Sequence, residues 1–490
     1  MKNRIKIFAL MLLIFFVMPC LLYSENEFQK WRKTEKQSFS DYKKSIDEEF
    51  VDYLKKDWKE FKLENRLSAY KKPKPVNIPK APAKKLPEKI IKTRPGYLAT
   101  KRSEPVLTAP QKVDEKQKIR KHKKCTKAGL NFLFCGTDIF LCYDPEIKNI
   151  KIQEIDNHAI ASFWTMISKT DYNDLIAQTK KYKKDLKLND WGYNLFVYEI
   201  GKKIFREHEN LSRLFLWFIA TKSNLAIRIG YNNNRVYPLF AYNGTIYGSR
   251  FFNLQGQRFY VLSFGKEQDS ESIKTYKRDY SETSNKINLQ ISASPVFATD
   301  FKTRELSFRY QNNEYKFKLG YNKNLVNYFK NYPQTELQIY FNANITSAMY
   351  SNLLAPVRKL IENEDRTEAV KILLRLTQTV FDYKTDGDQF GYEKYMLPHE
   401  TLYYPFSDCE DRSIFFAFLV KNLLSLDVVG LHYPGHLATA VRFNKEVNGT
   451  FITYKGKKYV VCDPTYINAN PGMVMPKFRH IRPEIIKIGA

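Results

Sequence analysis

Three side chains in the last quarter of the chain have the types and order for covalent catalysis. They are Cys409, His436 and Asp463, with 27 residues from each to the next. A thiol becomes a strong nucleophile when an imidazole takes its proton, and a carboxylate holds that imidazole in the productive tautomer. Ser407 and Asp408 stand just before the apolar run 414–420, the pattern of a helix N-terminus. Cys409 is then expected in the first turn, where the helix dipole favours a thiolate. Asp408, Glu410 and Asp411 oppose that effect, so the thiol needs a cationic partner. Residues 428–433 read as a strand, Pro434-Gly435 as a turn, and His436 opens a second strand over 437–441. A Gly-bearing connection leads to a third strand, 458–462, which ends at Asp463-Pro464. His432 competes with His436, but it precedes the turn, and His436 is the better placed.

In order, spacing and local setting, these residues resemble the catalytic core of the transglutaminase-like superfamily, the papain-like thiol acyltransferases and peptidases. The strings Tyr433-Pro434-Gly435-His436 and Asp463-Pro464-Thr465-Tyr466-Ile467-Asn468-Ala469 are similar to those of exported bacterial members. The likeness covers about residues 350–480. It implies that Cys409 attacks an amide or ester carbonyl, that His436 pairs with it and later protonates the leaving amine, and that Asp463 orients the ring. Gln389, shortly upstream, stands where an oxyanion donor would be useful; a loop amide making structural bonds is the plainer reading.

The expected fold class is α+β. A C-terminal transglutaminase-like (cysteine-proteinase-like) core over 346–490 follows a second α+β module, a long N-terminal helix and a Pro-rich linker. The chain opens with Lys2, Arg4 and Lys6, then an apolar run over 7–22, and Ser24 before Glu25. That is the pattern of a signal peptide over 1–24. An uncleaved anchor and a lipidated Cys20 are the alternatives, and no later segment is long and apolar enough to cross a bilayer. Residues 25–70 place Phe28, Trp31, Phe39, Tyr42, Ile46, Phe50, Tyr53 and Phe61 on one helical face. This is either a docking arm or a helix packed on its own protein.

Residues 71–124 are rich in Pro, Lys and Arg and read as an extended linker. Over 125–286, helices are expected around 163–167, 193–200 and 211–221, then strands at 226–229, 235–240 and 259–262. Pro238 argues for an edge position for the middle strand. The stretch 287–345 is expected to be β-rich, with strands at 287–291 and 337–341 and a hairpin from 305–310 and 315–319. Residues 350–383 are helical by period, with Ala369, Ile372, Leu373, Leu376, Thr379 and Val380 on one stripe.

The formal charge is +28, which first suggests a nucleic-acid or membrane-surface binder. Residues 25–124 hold 29 Lys and Arg against 15 Asp and Glu, so about half of the excess belongs to the arm and linker. A solvated spacer is one reading, and attraction to an anionic cell-envelope surface is the sharper one. Export argues against nucleic acid as a partner, and no motif supports it. No Cys/His cluster has metal-ligand spacing and no nucleotide-binding loop is present, so no metal or cofactor is expected. Cys125 has Cys135 and Cys142 as candidate partners, or all three are free thiols.

The 211–264 region also lies over 411–463 as a candidate degenerate copy. Glu209 would then replace Cys409, Asn234 would replace His436, and Phe264 would replace Asp463. The same strand order in both is the condition for that reading. The function expected is an exported thiol enzyme, a periplasmic or envelope hydrolase or acyltransferase acting on peptides or proteins. The alternative is a non-catalytic envelope scaffold. The sequence assigns no oligomeric state.

Overall fold

The computed structural model describes residues 27–68 (without 36 and 40), 80–81, 125, 127–264, 270–281, 283–344 and 347–489. The signal segment and nearly all of the linker lie outside these residues. The first part of the chain runs α1 (residues 41–54), β1 (Trp58–Lys62), β2 (Ala128–Phe134), β3 (Thr137–Tyr143), α2 (Asn157–Ser168), α3 (Tyr172–Asp185), α4 (Asp190–Ile204) and α5 (Glu209–Lys222). Five strands follow: β4 (Ile227–Asn232), β5 (Arg235–Ala241), β6 (Phe251–Leu254), β7 (Gln257–Val261) and β8 (Ser272–Tyr276). A hairpin of β9 (Phe301–Tyr310) and β10 (Asn313–Asn322) leads to α6 (Lys323–Phe329), α7 (Leu337–Phe341), α8 (Ser347–Ile361) and α9 (Arg366–Thr379).

The last part holds β11 (Asp382–Tyr383), α10 (Asp386–Gln389), α11 (Pro398–Tyr403), β12 (Phe406–Ser407) and α12 (Cys409–Leu419). It closes with β13 (Val428–Tyr433), β14 (His436–Val441), β15 (Phe451–Tyr454), β16 (Lys457–Cys462) and β17 (Glu484–Lys487). The protein is α+β, and among the described residues no helix is long and apolar enough to cross a membrane.

Two antiparallel sheets organise the molecule. One has the order β1-β8-β4-β5-β7-β6, the other β15-β16-β14-β13-β17. Within them β4-β5-β7-β6 and β13-β14-β16-β15 have the same order and the same chain connectivity, each preceded by a helix packed on its first two strands. The condition set for a degenerate copy is therefore met, with two positions corrected. The closing pair of the first hairpin is Asn232 with Arg235, and that of the second is Tyr433 with His436. Arg235, and not Asn234, thus stands at the histidine position; Asn234 lies in the turn. By the register of the third strand, Ser263 and not Phe264 matches Asp463, because Leu239 pairs with Val261 as Ala440 pairs with Val461. Glu209 keeps its place, being the first helical residue as Cys409 is.

Several expectations need correcting. Pro238 lies in a central strand, not at an edge. Toward β4 it pairs with Ile229; toward β7 its carbonyl accepts from the Leu262 N–H and the ladder starts only at Leu239, so the N–H that proline lacks falls just beyond the end of that ladder. Residues 287–291 form no strand, and 337–341 are the helix α7, so 287–345 holds a single hairpin rather than a β-rich module. Short apolar runs of this kind fit strand and buried helix equally well. The hairpin, expected from the sequence to turn around Asn312-Asn313, turns at Gln311-Asn312, between Tyr310 and Asn313. Thr379 is exposed and leaves the α9 stripe. The N-terminal helix ends at 54, and Phe61 belongs to β1, which pairs with β8.

Half of the N-terminal arm packs on its own protein. Ile46, Phe50, Val51 and Leu54 are buried, whereas Phe28, Trp31, Phe39 and Tyr42 are exposed. Phe50 meets Trp164 edge-on at 4.9 Å and Tyr280 at 5.3 Å between ring centroids, contacts worth about 0.5–1.5 kcal/mol each beyond area burial. Beside them Asp47 accepts from Lys222 Nζ at 2.5 Å, Trp164 Nε1 at 2.9 Å and the Tyr280 hydroxyl at 3.2 Å. Removing one partner of such a buried pair strands the other charge. Asp47→Ala is expected to lower stability by about 3–5 kcal/mol, while Asp47→Ala with Lys222→Met loses clearly less. Urea unfolding of the two variants measures both.

Candidate active site

Cys409 is the first residue of α12, as its cap predicts. The Asp408 carboxylate accepts from the Glu410 and Asp411 N–H groups, and the Asp411 carboxylate accepts in return from the Asp408 N–H. The helix is apolar beyond its first two turns, so its N-terminus is driven into the interior and its polar groups must be satisfied there. Ser413, one turn beyond Cys409 on the same face, donates to the Leu437 carbonyl at 3.0 Å. That bond fastens the Cys409 face of α12 to the start of β14, next to His436.

His436 opens β14 after a turn in which Gly435 has φ +77°, a value open to glycine without strain. Its Nε2 meets Asp463 Oδ2 at 2.8 Å, and both residues are buried. The other carboxylate oxygen of Asp463 accepts from the N–H groups of Thr465 at 2.9 Å and Tyr466 at 3.1 Å. Phe478 stacks on the His436 ring, 5.0 Å between centroids and 7° from parallel. His432 is on β13, part-exposed, with Nδ1 3.5 Å from Glu484, and does not belong to this pair.

The sequence reading missed the groups that hold these parts together. Arg412 is buried and donates to Ser407 Oγ, to the Gln378 carbonyl at 3.2 Å and to the Phe381 carbonyl at 2.5 Å. Burial pushes its guanidinium down to about 10, still charged at neutral pH. Gln378 Nε2 in turn donates to the carbonyls of Asp463, Tyr466 and Ala469, at 2.8–3.1 Å. A polar residue flanking the buried stripe of an amphipathic helix was the available signal for Gln378.

The Cys409 thiol donates to Glu410 Oε2 at 2.9 Å, and Cys409 is only 2% exposed. Of the other thiols, Cys125 and Cys142 form a disulfide. Burial pushes Cys135 up to about 12 and Cys462 higher still, so neither is a thiolate near neutral pH. Gln389 lies on α10 with its amide nitrogen buried and without a partner, so it bonds to no triad member through that atom. The same short helix supplies Asp386, whose carboxylate lies within 4.8 Å of those of Asp408 and Asp411. These three acids could hold a cation by geometry, but backbone N–H groups already serve them: Lys394 for Asp386, Glu410 and Asp411 for Asp408, and Met396 and Asp408 for Asp411.

The chain matches no protein-family model, no curated protein and no solved structure.

α11, packed against α12, buries two further ionisable groups. Glu400 pairs with Lys394 at 2.7 Å, both 1% exposed. Neither ring nitrogen of His399 has a hydrogen-bond partner, and burial pushes its imidazole down to about 4. The unfolded chain therefore takes up a proton below about pH 6.5 that the folded chain refuses. Stability is full above that pH and falls as pH drops from about 6.5 toward 4, by about 3 kcal/mol. His399→Phe is expected to remove that part of the pH dependence, read from unfolding curves at pH 7 and pH 4.5.

Proposed function

We propose that the chain is an exported thiol enzyme of transglutaminase-like type, cleaving or transferring acyl groups at amide bonds of envelope peptides or proteins. The observation that carries this reading is the buried 2.8 Å bond between His436 Nε2 and Asp463 Oδ2, beside the helix that begins with Cys409. With Nε2 engaged, Nδ1 is the nitrogen left to serve the thiol. Asp463, itself held by the Thr465 and Tyr466 N–H groups, fixes the ring in the orientation in which His436 takes the thiol proton.

The sulfur then attacks the carbonyl carbon, the C–N bond breaks, and the amine leaves with the proton from His436. Water or a second amine resolves the thioester. The Gln389 amide, a buried donor with no acceptor, on a helix whose Asp386 lies against the start of α12, is the candidate donor to the oxyanion. The basic linker would serve as the tether to an anionic envelope surface.

The alternative is a non-catalytic scaffold, and the bond from Cys409 to Glu410 favours it, since a nearby carboxylate disfavours a thiolate. Iodoacetamide labelling at pH 7, mapped by mass spectrometry, separates the two. Cys409 is expected to label fastest of the free thiols, and His436→Ala and Asp463→Asn to slow it by about tenfold or more. Equal labelling in all three proteins would leave the scaffold.

A further inference from the structure

Two cavities lie away from the Cys409 face of α12. The first, of about 530 Å³, is lined by Ile414, Phe418, Lys421 and Asn422 from α12 and the π-helical turn Val420–Leu424 that extends it, and by Lys487 of β17. Ile414 and Phe418 are roughly 140° and 180° around the helix from Cys409, so this is the opposite side from the thiol. The second cavity, of about 480 Å³, is lined by Lys180, Lys183, Lys184 and Lys187 at the end of α3. Gln290 lines both, so the two adjoin.

The charge in these walls is one-sided. Six lysines face one carboxylate, Asp190, and that carboxylate is already taken by Lys183 Nζ at 2.6 Å and the Asn288 N–H at 2.9 Å. Lys180, Lys421 and Lys487 form no ion pair among the described residues. Burial disfavours the charged form of Lys421, and burial together with Lys183 and Lys43 does the same for Lys180. Lysines held so, in adjoining concave walls, focus a positive field on whatever enters. Of the seven carboxamides in the walls, Asn189 and Asn342 are taken on both side-chain atoms and Asn422 donates to the Phe418 carbonyl, while Gln290, Gln338 and Asn344 can both donate to and accept from hydroxyl groups.

We infer that the adjoining cavities form one elongated site for an anionic glycan, a hydroxyl-rich chain carrying carboxylate or phosphate groups. An acidic peptide fits less well, because the lysines and carboxamides of these walls come mostly from helices and loops, and only Lys487 stands on a strand, the sheet edge β17.

The test measures fluorescence anisotropy of the full chain at physiological salt. The probes are labelled oligogalacturonate and phosphomannan, with neutral dextran and decaglutamate as comparisons. At least one anionic glycan is expected to bind, and dextran not. Lys180→Gln with Lys187→Gln, and separately Lys421→Gln with Lys487→Gln, are expected to weaken binding at least fivefold. Lys457→Gln with Lys458→Gln, exposed on the second sheet, should change it less than twofold. Failure of both glycans to bind, equal loss in the control pair, no loss at either end, or equal affinity for decaglutamate would each overturn the assignment.

Discussion

The arrangement of the second sheet and its helix depends on burying the polar start of α12. An apolar helix body pulls Asp408, Asp411, Arg412 and Ser413 out of water with it. Each must find a partner inside, because an unpaired buried polar group costs about 1–3 kcal/mol and a charge more. The solutions are shared. Arg412 bonds to the Gln378 carbonyl, and the Gln378 amide bonds to three carbonyls of the 463–469 loop. Ser413 ties the other side of the helix to Leu437. One connected network thus sets Cys409, His436 and Asp463 relative to one another, from three elements far apart in sequence.

The first sheet shows what the same frame becomes with other residues. Its helix starts with Glu209, which accepts from the Tyr198 hydroxyl at 2.6 Å and pairs with Arg213 at 2.9 Å. Arg213 donates to the Phe264 carbonyl, just after the position matching Asp463. The helix is again pinned to the strand end that follows, but by a guanidinium acting directly and without a nucleophile. In this sheet β8 stands beside β4 as β17 stands beside β13 in the other, and the N-terminal arm adds β1 outside β8. Equal strand order with different side chains is the pattern expected of a duplicated scaffold in which only one copy has the triad residues.

Much of the site was legible because its signals are local. A cap residue before an apolar run marks the Cys409 turn, Pro-Gly marks the turn before His436, and a strand end marks Asp463. What was not legible depends on partners distant in sequence. Gln378 and Arg412 are ordinary helix residues until the fold brings a loop 85 residues away onto the amide. The same holds for β1, whose partner β8 lies more than 200 residues on, and for α7, where burial on several sides erases the period that separates helix from strand. The one-residue shifts at Arg235 and Ser263 arise from turn and register, which pairwise strings of apolar residues do not specify.

The electrostatics around Cys409 balance two opposed demands. Three acids at the start of α12 satisfy its dipole, and Glu410 also takes the thiol proton in a hydrogen bond. All of that favours a neutral sulfur at rest. On the proposed reading the opposite pull comes from His436, whose ring is oriented by its bond to Asp463. Under the proposed thiol chemistry the sulfur has to leave Glu410 for the ring. With Cys409 almost fully buried and Phe478 stacked on His436, a substrate of the proposed enzyme would have to displace that cover, and in doing so would remove water from the thiolate–imidazolium pair and strengthen the attraction between its charges.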